Sequence, residues 1–288
     1  MLPAIDKIDS FLDKETKVQR SLLEVLDHLI TGSKLDFEYL GPIGDPVITT
    51  KVFDAILAEL NNEEISKHTA KTQTLGSIHG NYVVAYLVHN FYVENAQYYL
   101  PQTDLGRYDV IKGYNNPTEV YSDLVSLKFN ELKDDSILII NSATLAKINA
   151  ESVFNEQAIN ALNSKNIFVF FDIDHINLTN LNLSSQTLKA LLGKAAALYA
   201  QLFARIDNVG LNFDTGKLLC VEGLNLGHLY LKFPDHEQAP AFEKTVSILN
   251  RTTLSTPVKL GVDILKALFD EESKHEQVIR LLTEPAFK

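Results

Sequence analysis

Cysteine is almost missing from this chain of 288 residues: Cys220 is the single thiol, and tryptophan is absent. One cysteine forbids an internal disulfide and a zinc site made of several thiolates, and it agrees with a reducing, cytoplasmic compartment. Positive charge is also short, with 26 Lys and Arg against 37 Asp and Glu and a net charge of −11. That balance, with no run of five basic residues, argues against duplex DNA as the main partner. Nucleotides stay open, because a metal ion or a helix N-terminus can hold phosphate on an acidic protein. Long apolar runs are lacking too: 82–88 and 167–171 fall far short of the ~20 residues that cross a bilayer. The opening MLPAIDKIDSFLDKET has no basic-then-apolar secretion pattern. No membrane association is expected. Neither GxxxxGK[ST] nor GxGxxG occurs, so LGPIGDP and LGSIHGN read as ordinary glycine turns.

What is present is the composition of a folded core, 45% hydrophobic and 22% charged. The most informative stretch runs from Ser136 to Asp174 and reads as strand, helix, strand. Two buried strands joined by a helix imply a parallel sheet covered on both faces. The predicted fold is therefore α/β (or α+β): a central, partly parallel sheet with flanking β-hairpins and helices packed on its faces. The hairpins are expected over 82–100 and 217–233. An Asp45 cap with Pro46 predicts a helix carrying Val52, Phe53, Ile56 and Leu57. A long helix is predicted from Leu188 to Ile206, a strand at 34–40, a helix after Pro117, a strand or short helix over 242–249 and a helix from Pro257. Residues 1–115 form an N-terminal α/β region and 116–288 a C-terminal one, unless the whole is a single domain.

The apolar run FVFFDID ends on Asp172 and Asp174, followed by His175. Alternation along a strand puts both carboxylates on one face, at the strand end where open α/β sheets build their sites. Asp172 and Asp174 are then candidate Mg²⁺ ligands, and His175 the candidate for proton transfer. Such a set suits a metal-assisted enzyme acting on a phosphate ester or nucleotide. Asp214 and Glu222 are weighed as a third carboxylate, with ordinary turn acids as the plainer reading. His79 and His89 read as structural, and Cys220 as a core residue.

The run FVFFDID resembles the nucleophile strand of haloacid-dehalogenase-like phosphatases and the two-aspartate strand of topoisomerase-primase domains. His175 and Ile176 depart from the first pattern, and Ile140 or Asn141 stands where the second has a glutamate. The strand-helix-strand unit is also similar to part of the cofactor domain of D-2-hydroxyacid dehydrogenases, with Thr144 in place of an arginine. The order of elements after Lys165 resembles roadblock-type dimerisation domains. The competing reading is therefore a non-catalytic interaction module, with Leu188 to Ile206 as its packing face. The partner is then a small phosphate-containing ligand or a protein, and a homodimer is among the assemblies foreseen.

Overall fold

The two apolar runs do become neighbouring parallel strands, and their alternating side chains fill two separate cores. In the computed structural model the described residues are 17, 20, 21, 24, 41, 43–57, 60, 62–87, 96–114, 116–174, 188–219, 225–253 and 259–270. In chain order the elements used below are helix α1 (Pro46–Ile56), strand β1 (Thr69–Thr74), helix α2 (Ser77–Leu87), and strands β2 (Tyr98–Pro101), β3 (Thr118–Tyr121) and β4 (Ile137–Asn141). Helix α3 (Glu156–Ser164), strand β5 (Phe168–Ile173), helix α4 (Leu188–Arg205) and strand β6 (Val209–Phe213) follow. The chain continues as helical turn α5 (Thr215–Leu218), strand β7 (Gly227–Lys232) and helices α6 (Gln238–Thr253) and α7 (Lys259–Asp270).

The strands make one seven-stranded sheet in the order β1-β7-β6-β5-β4-β2-β3. Only β7 runs against the rest: it pairs antiparallel with both β6 and β1, so six strands end on one edge. Strands from both sides of residue 115 share this sheet. The parallel, doubly covered α/β architecture expected from the sequence is thus present. Leu138, Ile140, Val169, Phe171 and Ile173 face the core made with α1, α3, α4 and α7. Ile137, Ile139, Phe168 and Phe170 face the opposite core, made with α2 and α6. Fully burying one such side chain stabilises by roughly 1.5–3 kcal/mol, and both faces of these strands do so.

Asp45 caps α1 as predicted, its Oδ1 accepting from the amides of Val47 (2.9 Å) and Ile48 (3.0 Å), with Pro46 at the first helical position. The long helix predicted from 188 is α4.

Other expectations change. Residues 77–87 are helix α2 rather than the first arm of a hairpin. The β-branched and aromatic run at 82–88 suggested a strand, but the buried face is set by Ser77, Gly80, Asn81 and Val84, at helical spacing. The second hairpin is half right: 227–232 is a strand, while 215–218 is a helical turn and 220–224 lie outside the described residues. Residues after Pro117 form edge strand β3, with Thr118, Glu119 and Val120 exposed, and 242–249 belong to helix α6. The predicted strand at 34–40, residues 91–95 of the partner arm at 91–100 and Pro257 also lie outside the described residues, while the end of that arm is strand β2 and the helix expected after Pro257 is α7. No helix among the described residues is long and apolar enough to cross a membrane.

Candidate functional site

Helix α2, the turn after β2 and the ends of β5 and β6 converge on one buried carboxylate. Asp172, on the last turn of β5's pleat, has no exposed surface. Its Oδ2 accepts from Asn81 Nδ2 (3.0 Å, α2), Tyr108 Oη (3.0 Å) and Arg107 Nε (3.3 Å) and Nη2 (3.1 Å). Its Oδ1 accepts from Asn212 Nδ2 (3.0 Å, β6) and again from Arg107 Nη2 (3.3 Å). Asp174 lies on the same side: its Oδ2 pairs with Arg107 Nη1 at 2.8 Å and stands 3.6 Å from Lys217 Nζ, and its Oδ1 accepts from Ser142 Oγ at 2.7 Å. Lys217 belongs to α5, four residues past the end of β6.

Each position follows from local structure. Arg107 and Tyr108 ride a short 3₁₀ turn (Leu105–Tyr108) after β2. Ser77 and Asn81 occupy one face of the first turns of α2. The approach of α2 to β6 needs a glycine: a Cβ on Gly80 would lie 2.1 Å from Asn212 Oδ1. Gly76 takes a left-handed φ of +81° to start α2, and a Cβ on Gly227 would meet Gly76 Cα at 2.8 Å. At the α2 N-terminus, Asp214 Oδ2 accepts from both the amide and the hydroxyl of Ser77 at 3.1 Å. Asp214 Oδ1 accepts from the amide of Lys217 at 3.0 Å, capping α5.

Charge follows burial. Desolvation pushes the Asp172 carboxyl up, opposed by the Arg107 guanidinium and by the Asn81 and Tyr108 donors. For Asp174 burial acts in the same sense, yet Ser142, Arg107 and Lys217 together hold it below the usual carboxylate range. Burial, then the adjacent Asp172, push the Tyr108 phenol up, so it stays a donor at neutral pH. Burial works against the charge on Arg107, but Asp172 and Asp174 hold it firmly cationic.

Asp172 and Asp174 therefore share a cation, and that cation is Arg107. The Mg²⁺ predicted from the sequence is corrected here: the guanidinium fork bridges both carboxylates, and no cluster of three His, Cys, Asp or Glu suited to a metal exists among the described residues. His175 and Glu222 lie outside the described residues, as do His89 and Cys220. Asp214 is in the site, accepting at a helix end, and half-buried His79 has its Nδ1 accepting from the Leu75 amide at 3.2 Å. Sequence reasoning missed Arg107, Lys217, Asn81 and Asn212. A lone basic residue in a loop carries no pattern, and the one available signal was that Asn212 and Lys217 flank a strand end next to β5.

No family model matches the chain, and no curated protein matches its sequence. Solved structures do match its fold. The cytoplasmic aspartate aminotransferase of Saccharomyces cerevisiae superposes with a TM-score of 0.72 and 17% identity, over 91% of this chain and 67% of that one. A putative aspartate aminotransferase of Leishmania major gives 0.69 and 21%, over 92% and 66%. An aromatic amino acid aminotransferase of Burkholderia cenocepacia gives 0.71 and 16%, over 93% and 67%. The chain thus has an aminotransferase-like fold and spans about two thirds of the length of those proteins. This corrects both functional readings of the sequence. The phosphate-ester metal enzyme loses its fold parallels as well as its metal. The roadblock-like interaction module fails because β5, β6 and β7 are the middle of a shared seven-stranded sheet, not a sheet of their own.

Proposed function

We propose that the chain performs amino-group chemistry of the aminotransferase type, with pyridoxal phosphate as its cofactor and an amino acid or oxo acid as substrate. The observation that carries this reading is an amine and a buried carboxylate on adjoining strand ends of this fold: Lys217 just past β6 and Asp172 on β5. When bound, the cofactor would supply an electron sink for chemistry at the amino-bearing carbon.

Each end of the site has the charge preference that group needs, and each is already filled by one of the chain's own side chains. Asp172 is the partner for a ring pyridinium, the role an acidic residue plays in such sites. It is ringed by donors, Asn81, Asn212 and Tyr108, which favour its ionised form. The N-terminus of α2 is an anion seat, since its first amides point outward and its dipole favours negative charge. That seat holds a carboxylate, Asp214, and Asp172 holds a planar cation, Arg107, so both ends bind groups of the charge the cofactor carries. Lys217 Nζ is the amine placed to engage an aldehyde carbon and to move a proton at the substrate. Asp174, fixed by Ser142, orients that ammonium. A cytoplasmic location belongs to the same proposal and is supported by the single thiol.

The test is chemical trapping. Incubation with pyridoxal phosphate, borohydride reduction and peptide mapping should place a pyridoxyl label on Lys217, and Lys217→Ala should lose it. A folded protein that takes no label there would sink the reading.

A further inference from the structure

Resting on the proposed function, a second feature of the site has its own consequence: the chain supplies both charges that its cofactor would bring. At the ring end, Asp172 receives six donor contacts from Asn81, Tyr108, Asn212 and three from Arg107. An ionised carboxylate offers about four lone-pair positions, so it is saturated. A pyridinium N–H can reach Asp172 only if the guanidinium gives way. At the other end, Asp214 Oδ2 already takes the Ser77 amide and hydroxyl, and a phosphate brought to that helix end would meet a like charge. Arg107 Nη2 also donates to Ser77 Oγ at 2.8 Å, which ties the two ends into one network.

We propose that Arg107 and Asp214 are built-in competitors of the cofactor, Arg107 against its ring and Asp214 against its phosphate. The pair sets how tightly and how selectively the site loads. Arg107 is then a displaceable counter-ion, 14% exposed on a short turn, rather than a fixed part of the cofactor cradle. Asp214 lowers the advantage that a phosphorylated ligand has over its unphosphorylated form.

The two effects separate when the full-length protein is titrated spectroscopically with pyridoxal phosphate and with pyridoxal. Arg107→Gln should tighten both ligands by the same factor, about tenfold, the equivalent of 1.4 kcal/mol. Asp214→Asn keeps the cap on α5 and should tighten pyridoxal phosphate about tenfold while leaving pyridoxal unchanged. Arg107→Lys retains the charge but loses the fork and should fall between wild type and Arg107→Gln. It also guards against loss of folding in the glutamine variant, and thermal melts accompany every titration. Equal affinities across wild type and folded variants overturn the competitor proposal and leave the proposed function standing. An Asp214→Asn gain shared equally by pyridoxal overturns the phosphate half. If neither ligand binds any folded variant, the proposed function falls and takes this inference with it.

Discussion

Asp172 shows what a single buried charge demands of its surroundings. A carboxylate with no exposed surface survives because guanidinium, phenol and amide donors replace water around it. Removing one donor leaves part of that charge unsatisfied. Tyr108→Phe should therefore cost about 1.5–3 kcal/mol, the range for a hydrogen bond to a charged group, read by urea denaturation. His228 is the opposite case: fully buried on β7, with neither ring nitrogen hydrogen-bonded among the described residues and its ring stacked on Tyr230. Burial pushes it down to about 3, and His79 to about 4, both below the unfolded value near 6.5. Because the folded value is the lower, the stability this neutral ring contributes is whole above pH ~6.5 and is lost as pH falls toward the folded value. The loss approaches about 1.4 kcal/mol per pH unit for each histidine. Between pH 6.5 and 4.5, His228→Leu should lose about 2 kcal/mol less than wild type; parallel pH profiles would refute this. The paired aspartates were legible because alternation along FVFFDID puts both on one side, where both meet Arg107. Arg107 was not, being 65 residues from Asp172 in a loop without a motif.

At the level of elements, legibility tracked how local the signal was. The Asp45-Pro46 cap, the runs at 137–141 and 168–173 and the stripe at 188–205 each declare themselves within one element. Asp45→Ala should destabilise by about 1 kcal/mol, the usual cost of losing such a cap, as a shift of the denaturation midpoint without a change in slope. One element gave no readable signal and another misled, each for a physical reason. Strand β1 is TAKTQT, polar in sequence yet largely buried, because Thr and Gln side chains line its interior face. Helix α2 buries serine, glycine and asparagine toward β6, so its apolar residues show no helical period.

For the molecule as a whole, the sheet order could not be read from the chain. β1 pairs with β7 from Thr69↔Lys232 to Thr74↔Gly227, and no local feature of either strand announces a partner so distant in sequence. What was legible was the class, since β4 and β5 are apolar on both faces. The two cores they divide are close-packed. Phe170 lies in the one shared with α2, opposite Gly210, where an added Cβ would come within 2.5 Å of the Phe170 ring. Phe170→Ala should cost about 3–5 kcal/mol and Gly210→Ala about 1–3 kcal/mol from overpacking, both as lowered melting temperatures with far-UV dichroism retained below the transition. The contact of Gly227 against Gly76 acts differently, because it bears on the turn that launches α2. A single methyl group at residue 227, which lends no polar atom to Asp172, would work as a wedge beneath that turn. Ser77 and Asn81 would swing with the helix they begin, and the donors around Asp172 would lose their alignment through a residue that makes no bond to it.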